Sequence, residues 1–112
     1  MAITNQNRVS FHEATILSAS RHSDRVSLSL DDVLIGGVRV TAHITVQNVS
    51  AVLRDGLAVE SVGMEEEDGE ILGLFQQEGQ VVLVVQWNKF SDNTQSTVTY
   101  KLVGGEMAFH AS

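Results

Sequence analysis

The sequence contains neither cysteine nor proline, and each absence excludes something. Without cysteine the chain cannot form a disulfide framework, a thiolate metal site or a cysteine nucleophile. This lack fits a reducing compartment such as the cytoplasm. Without proline, glycine and Asx residues must supply the turns between elements of secondary structure.

Long apolar segments are also missing. The longest fully apolar run extends only from Val81 to Val85, whereas a membrane-spanning helix needs about 20 apolar residues. The opening residues, Met1 to Arg8, are polar and lack the apolar stretch of a secretory signal. We therefore expect a soluble, cytoplasmic protein that does not associate with membranes.

Basic residues are scarce in the second half of the chain. The formal net charge is −7, and residues 57–112 hold nine acidic and two basic side chains, whereas residues 1–56 hold five of each. Such a surface repels nucleic-acid phosphates and attracts basic partners. We expect a basic protein partner and no nucleic acid; the alternative is that the charge serves solubility alone.

The residues that are present predict an all-β fold in one domain, 1–112. Turn signals recur along the chain and separate short runs rich in Val, Leu, Ile and Thr, a pattern typical of a sandwich or barrel, here of about eight or nine strands. Residues 38–47 alternate apolar and polar side chains, as a half-buried strand does. The signals are Ser23-Asp24, Gly36-Gly37, Asn48, Asp55-Gly56, Asp68-Gly69, Glu78-Gly79, Asp92-Asn93 and Gly104-Gly105.

The two halves of the chain repeat one pattern. An Ile-Leu pair, a turn and an alternating apolar run occupy residues 16–30 and recur at 71–85, an offset of 55. After one inserted residue the match continues, so that Ala51 and Leu53 align with Met107 and Phe109. Self-similarity at a fixed offset predicts a duplicated strand-turn-strand unit, with copies at about 14–54 and 69–110.

Residues 49–55 fit two kinds of secondary structure. Val49, Val52 and Leu53 have helical spacing behind a capping Asn48, whereas Ala51 and Leu53 continue a strand alternation. The segment is short for a helix, and we favour a strand.

The copies differ on one strand. Where the first has Ser27 and Ser29 on the outward face, the second has Val82 and Val84, so the strand from Gln80 to Trp87 is apolar on both faces. A strand of this kind is usually covered on both sides. Either the chain covers these valines itself or a second protein does, in which case they form a surface for a partner or for self-association in a homodimer.

No residue pattern indicates catalysis or a cofactor. The four histidines, His12, His22, His43 and His110, form no metal-binding pattern, and no nucleophile-elbow serine or glycine-rich phosphate loop occurs. We expect no metal, no cofactor and no enzymatic activity.

The strongest candidate for a site is an acidic run. Six of the eleven residues from Glu60 to Glu70 are acidic and none is basic, and four of them are consecutive: Glu65, Glu66, Glu67 and Asp68. The run is either a solvated linker between the copies or a surface that docks lysines or arginines of a partner. Because like charges repel, we expect the run to contribute nothing to stability.

Short motifs resemble a known group of proteins. The segment Phe11-His12-Glu13-Ala14-x-Ile16, the alternating run at 26–30 and the later Asp68-Gly69-Glu70-Ile71 are similar to small uncharacterised bacterial all-β proteins. Some similar small acidic β-proteins act as immunity proteins against bacterial toxins. The resemblance implies a family style and no site residues.

The leading hypothesis is therefore a non-catalytic protein-binding module, an immunity or inhibitor protein that acts on a basic partner. The alternative is a β-barrel that binds a small ligand between its halves, with Phe75, Trp87 and Tyr100 as the lining. A concave cavity with converging polar groups would favour the ligand barrel, and a filled core would favour the binder.

Overall fold

The computed structural model describes residues 9–111 and shows an all-β protein. The polar start Met1–Arg8, from which we expect no secretory signal, lies outside the described residues. Residues 9–111 form no helix long and apolar enough to cross a membrane. The described strands are β1 (Val9–Ser10), β2 (Thr15–His22), β3 (Arg25–Ile35), β4 (Val38–Gln47), β5 (Ala51–Arg54), β6 (Leu57–Val59), β7 (Asp68–Gln77), β8 (Gln80–Lys89), β9 (Thr94–Val103) and β10 (Glu106–Ala111).

All described strand pairs are antiparallel and belong to one sheet, whose order is β10-β4-β3-β2-β7-β8-β9-β5-β6, with β1 beside β3. In the described part of the chain β10 and β6 end this order, so the sheet is not closed into a barrel. At its centre β2 and β7 share one register pair, Thr15 opposite Glu70. Buried residues of both halves of the sheet belong to one apolar core cluster, which agrees with a sandwich-like arrangement.

The order of the strands is symmetric about the β2–β7 join. Exchanging β2 with β7, β3 with β8, β4 with β9 and β5 with β10 maps the order β10-β4-β3-β2-β7-β8-β9-β5 onto itself. The fourth strand of each copy therefore pairs with the third strand of the other copy: β5 lies beside β9, and β10 lies beside β4. The chain thus has the architecture of a two-fold dimer with exchanged strands, joined into one polypeptide by a linker at 60–67.

The strand registers of the two halves repeat at the offset predicted from the sequence. Ile16 lies opposite Leu30 and Ile71 opposite Val85, which is an offset of 55 on both strands. Each hairpin carries a β-bulge at the equivalent place, at Leu17 and at Leu72. A bulge is a specific irregularity of pairing, so its repetition makes a chance resemblance between two hairpins a poor explanation.

Three sequence predictions need correction in detail. The described residues form ten strands instead of eight or nine. Strands β1 and β6 have only two and three residues, which are too few for an alternation pattern to show. The sequence alignment matches Ala51 and Leu53 with Met107 and Phe109, an offset of 56. In the structure Val52 corresponds to Met107, an offset of 55, because β5 pairs through Val52–Leu102 and β10 pairs through Met107–Val46. Residues 49–55 contain strand β5, as favoured.

The third correction concerns Asp68-Gly69, which begins β7 and makes no turn. Gly69 lies directly opposite Trp87, and a Cβ at this position would lie 2.6 Å from the indole Cζ3. The first half has Ala14 in place of Gly69 and, because β3 has an irregularity after Leu30, Val33 in place of Trp87, so the glycine makes room for the larger ring. The other turn signals lie at strand ends or between strands.

Each crossover between the two layers is fastened by a side chain at the same position of the repeat. Arg21, near the end of β2, donates hydrogen bonds to the carbonyls of Ser23, Glu60 and Val49. Gln76, its equivalent in β7, donates to the carbonyl of Gly105 at 2.9 Å and accepts from the amide of Met107 at 2.9 Å. These contacts hold the start of each exchanged strand.

We expect Gly69→Ala to destabilise the protein by about 1–3 kcal/mol, because the added methyl overpacks the core against Trp87. Gly63→Ala is the control, since nothing lies within 4 Å of its added Cβ. Urea denaturation followed by the fluorescence of Trp87 measures both. Equal stability of the two variants would contradict the proposed packing.

Candidate functional site

The acidic run lies in the linker 60–67 and at the start of β7. The first of its four consecutive acids, Glu65, is bound by residues of the protein itself. The Glu65 carboxylate accepts hydrogen bonds from Nε of Arg54 at 2.9 and 3.1 Å and from Nη2 at 2.7 Å. The Glu65 side chain is 26 % exposed. The expectation that these acids are solvated and stabilise nothing is therefore wrong for Glu65.

Glu65 also ends a chain of polar contacts that reaches the core. Trp87 Nε1 donates to the Tyr100 hydroxyl at 3.0 Å, and that hydroxyl donates to Glu65. The hydrogen bond with Glu65, and the Coulombic attraction of the same carboxylate, hold the pKa of Arg54 above its usual range. The linker is thus anchored to β5, β8 and β9 by one carboxylate.

The corresponding contact in the first half is apolar. Arg54 is equivalent to Phe109 at the offset of 55, and Phe109 meets Phe11, in the segment before β2, edge to face at 5.7 Å between ring centroids. The two halves therefore fasten the same place in different ways, one with aromatic rings and one with an ion pair.

The other three consecutive acids make fewer hydrogen bonds with the protein than Glu65 does. Asp68 accepts a hydrogen bond from Asn88 Nδ2 at 2.7 Å, and Glu67 accepts one at 3.4 Å from the amide of Ser91. Glu66 has no hydrogen-bond partner among the described side chains. Of the four predicted docking residues, Glu66 and Glu67 are thus the most available to a partner, and their role in binding remains a prediction.

Three exposed apolar side chains each neighbour one of these acids or a residue that contacts them. Leu57 follows the turn after Arg54 and is 74 % exposed, Met64 precedes Glu65 and is 46 % exposed, and Phe90 lies at the tip beside Ser91 and is 65 % exposed. We call this surface the acidic end and define it by Asp55, Leu57, Met64, Glu66, Glu67 and Phe90. Exposed large apolar side chains next to acids are candidates for contact with a partner.

The two outward valines of β8, Val82 and Val84, are largely covered by side chains of the neighbouring strands. Val82 is 5 % exposed but lies outside the core cluster, so its side chain is on the outer face. Its cross-strand neighbours there are Phe75 and Lys101. Val84 is half-buried on the same face. Self-association through these two valines remains a prediction.

The residues predicted to line a ligand barrel do not share a cavity. Trp87 and Tyr100 are each 1 % exposed within the filled core, whereas Phe75 lies on the opposite side of the sheet. A shallow cleft of about 380 Å³ opens elsewhere, lined by Arg21, Ser23, Glu60 and Ser61. Its arginine already serves the crossover, and Ser61 Oγ donates to the Val62 carbonyl at 3.1 Å.

The described side chains bring together little else that could perform chemistry. No three His, Asp or Glu residues among them are close enough to hold a metal ion. Ser29 Oγ lies 2.9 Å from His43 Nδ1 on the outer face, but no carboxylate within hydrogen-bond reach orients this imidazole among the described residues. A nucleophile and base without an orienting group lack the geometry of a triad.

Comparison of the chain with protein-family models, with curated proteins and with solved structures gave no match. The functional interpretation therefore depends on the geometry of this chain alone.

Sequence reasoning missed Arg54, Leu57 and Phe90 as members of the same surface. Arg54 and Leu57 belong to a hairpin that the exchange of strands brings beside β9. No periodicity in the sequence encodes that placement. The longer loop at 90–93, where the first half has a tight Gly36-Gly37 turn, was the available signal for Phe90.

We expect Glu65→Ala to lower the Tm by about 4–8 °C, because it removes the ion pair and leaves the Tyr100 hydroxyl without its acceptor. Glu66→Ala removes the same charge without these contacts and should change the Tm by far less. Thermal unfolding monitored by Trp87 fluorescence compares them. If both variants melt together, the anchoring role of Glu65 is refuted.

Proposed function

We propose that this protein is a non-catalytic binding module of the immunity or inhibitor type, and that it contacts a basic protein partner through the acidic end. The observation that carries the proposal is that exposed apolar side chains neighbour the residues that contact the acidic run, while Glu66 and Glu67 have no basic partner among the described residues. The nearby basic side chains, Arg54 and Lys89, are already paired with Glu65 and Asp92. The acids that remain can therefore act on a partner.

The apolar and the charged side chains of the acidic end would have different roles in binding. Leu57, Met64 and Phe90 offer apolar area, and buried aromatic anchors supply most of the energy of typical interfaces. Glu66 and Glu67 offer charge, which mainly accelerates association and selects partners of opposite sign. A basic protein with an apolar patch would satisfy both.

The interior supports a binder more than an enzyme or a ligand barrel. Every buried side-chain nitrogen and oxygen among the described residues has a hydrogen-bond partner. Catalytic sites usually hold polar groups poised with perturbed pKa values in a cleft, and the perturbed group identified here, Arg54, belongs to a structural ion pair.

The first test uses charge neutralisation with a matched control. The full-length chain serves as bait to recover its partner from host extract, and binding kinetics are then measured at low and high salt. We expect Glu66→Gln with Glu67→Gln to slow association by about tenfold at low salt, with the difference disappearing at high salt. Glu78→Gln with Glu106→Gln makes the same change of net charge away from the acidic end.

If both pairs of substitutions slow association equally, only the net charge matters and the acidic end is not the docking site. If neither has an effect, the partner is not recognised by charge.

The second test concerns the apolar anchor. We expect Phe90→Ala to leave association nearly unchanged and to accelerate dissociation by at least about tenfold, because short-range contacts determine mainly the dissociation rate. Val38→Ala is the control, since Val38 is similarly exposed, at 62 %, beside the equivalent hairpin tip of the first half. Equal dissociation rates for the two variants would remove Phe90 from the interface.

A further inference from the structure

The outer face of β5, β7, β8 and β9 differs from its counterpart in the first half. We call it the valine face and define it by Leu53, Phe75, Val82 and Val84. The residues equivalent to Phe75, Val82 and Val84 are Ser20, Ser27 and Ser29. The same backbone positions therefore carry serine in one half of this molecule, and the fold does not require apolar side chains there.

A further substitution flattens the valine face. Gly73 stands where the first half has Ser18, and a Cβ on Gly73 would lie 3.6 Å from Cε1 of Phe75 and 3.9 Å from Cγ2 of Val84. The Phe75 ring thus lies across the glycine towards Val84. Phe75 remains 43 % exposed and Val84 half-buried, so these two side chains face solvent, whereas Val82 is covered by its neighbours.

Two opposite charges, Lys101 and Glu70, lie symmetrically about Val84 on the valine face. Lys101 lies opposite Val82, two residues before Val84 on β8. Glu70 lies opposite Gln86, two residues after Val84. Lys101 is on β9 and Glu70 on β7, the two strands that flank β8. With about 4.8 Å between strands and about 6.8 Å between rows, each charge lies roughly 8 Å from Val84, in opposite directions.

This arrangement is complementary to itself. When two copies pack face to face about a two-fold axis that passes through Val84 in the plane of the face, perpendicular to the line from Lys101 to Glu70, Lys101 of each copy lies against Glu70 of its partner. The contact brings Val84 onto Val84 and forms two identical ion pairs. The described part of the chain gives neither Lys101 nor Glu70 an ion-pair partner.

We infer that the valine face binds a second copy of this chain, in a symmetric dimer with Val84 at its centre and reciprocal Lys101–Glu70 contacts. The face spans only three or four strands, so the interface is at the small end of specific interfaces and the dimer should dissociate at micromolar concentration. This inference does not rest on the proposed function, because the acidic end is a separate surface.

Charge reversal in the full-length protein tests the pairing, with sedimentation equilibrium as the readout. The parent should be a dimer at about 100 µM, and Lys101→Glu and Glu70→Lys should each weaken dimerisation by at least about tenfold. Glu70→Lys is informative because it reduces the net negative charge, which by itself would favour association. The double variant K101E/E70K, and an equimolar mixture of the two single variants, should regain the parent's affinity.

The matched controls separate this contact from general charge and from misfolding. Lys89→Glu makes the same charge change as Lys101→Glu away from the valine face and should leave the dimer intact. Phe75→Ser with Val84→Ser copies Ser20 and Ser29, which this fold accepts, and should give a folded monomer by circular dichroism and sedimentation.

Two results would overturn the inference: a parent that stays monomeric at 100 µM, or single reversals that the double variant does not rescue. Either result leaves the acidic end untouched, and loss of partner binding in the Glu66 and Glu67 variant would leave the dimer untouched, so the two proposals fail separately.

Discussion

The exchange of the fourth strands is the constraint on which the rest of the structure depends. Without β5, the second half would expose the edge of β9, and without β10 the first half would expose the edge of β4. An unpaired internal edge and a half-covered core are costly in water. Each half therefore completes the other, and the bulges, the crossover contacts of Arg21 and Gln76, and the anchoring of the linker all serve one mutual arrangement.

Two copies of one backbone have acquired different surfaces. The first half keeps serines on its outer face, a tight glycine turn and an aromatic contact between Phe11 and Phe109. The second half has a valine face, a longer tip with Phe90, and an ion pair at the equivalent of the aromatic contact. Since the fold tolerates both versions, the differences reflect something other than folding, and both proposed surfaces lie among them.

Much of this architecture follows from patterns that a sequence displays directly. Alternation identifies β3, β4 and β8, because each has one face in the core, and the offset of 55 identifies the repeat because the bulge and the hairpin turn recur in both copies. Exchange of strands is not visible in this way, since β5 satisfies its alternation equally well beside β4 or β9. Asp68-Gly69 resembles a turn because glycine is common in turns. Here the glycine lies within a strand, where the lack of a side chain makes room for Trp87.

The acidic run shows the same limit at the candidate site. Four consecutive carboxylates look solvated in a sequence, and only the position of Arg54 across the exchanged hairpin reveals that Glu65 is bound internally. The run thus combines an anchor, Glu65, with available charges at Glu66 and Glu67.

The mutual dependence of the halves is tested most directly by native-state hydrogen exchange of the full-length protein over a series of sub-denaturing urea concentrations. The core amides of β3, such as Leu28 and Leu30, and those of β8, such as Leu83 and Val85, report on the two halves separately. Because neither half is complete alone, all of these amides should exchange through global unfolding, with one opening free energy and one dependence on urea. Exchange of one set at a distinctly lower free energy, with a smaller dependence on urea, would show that the halves unfold independently and would contradict the account.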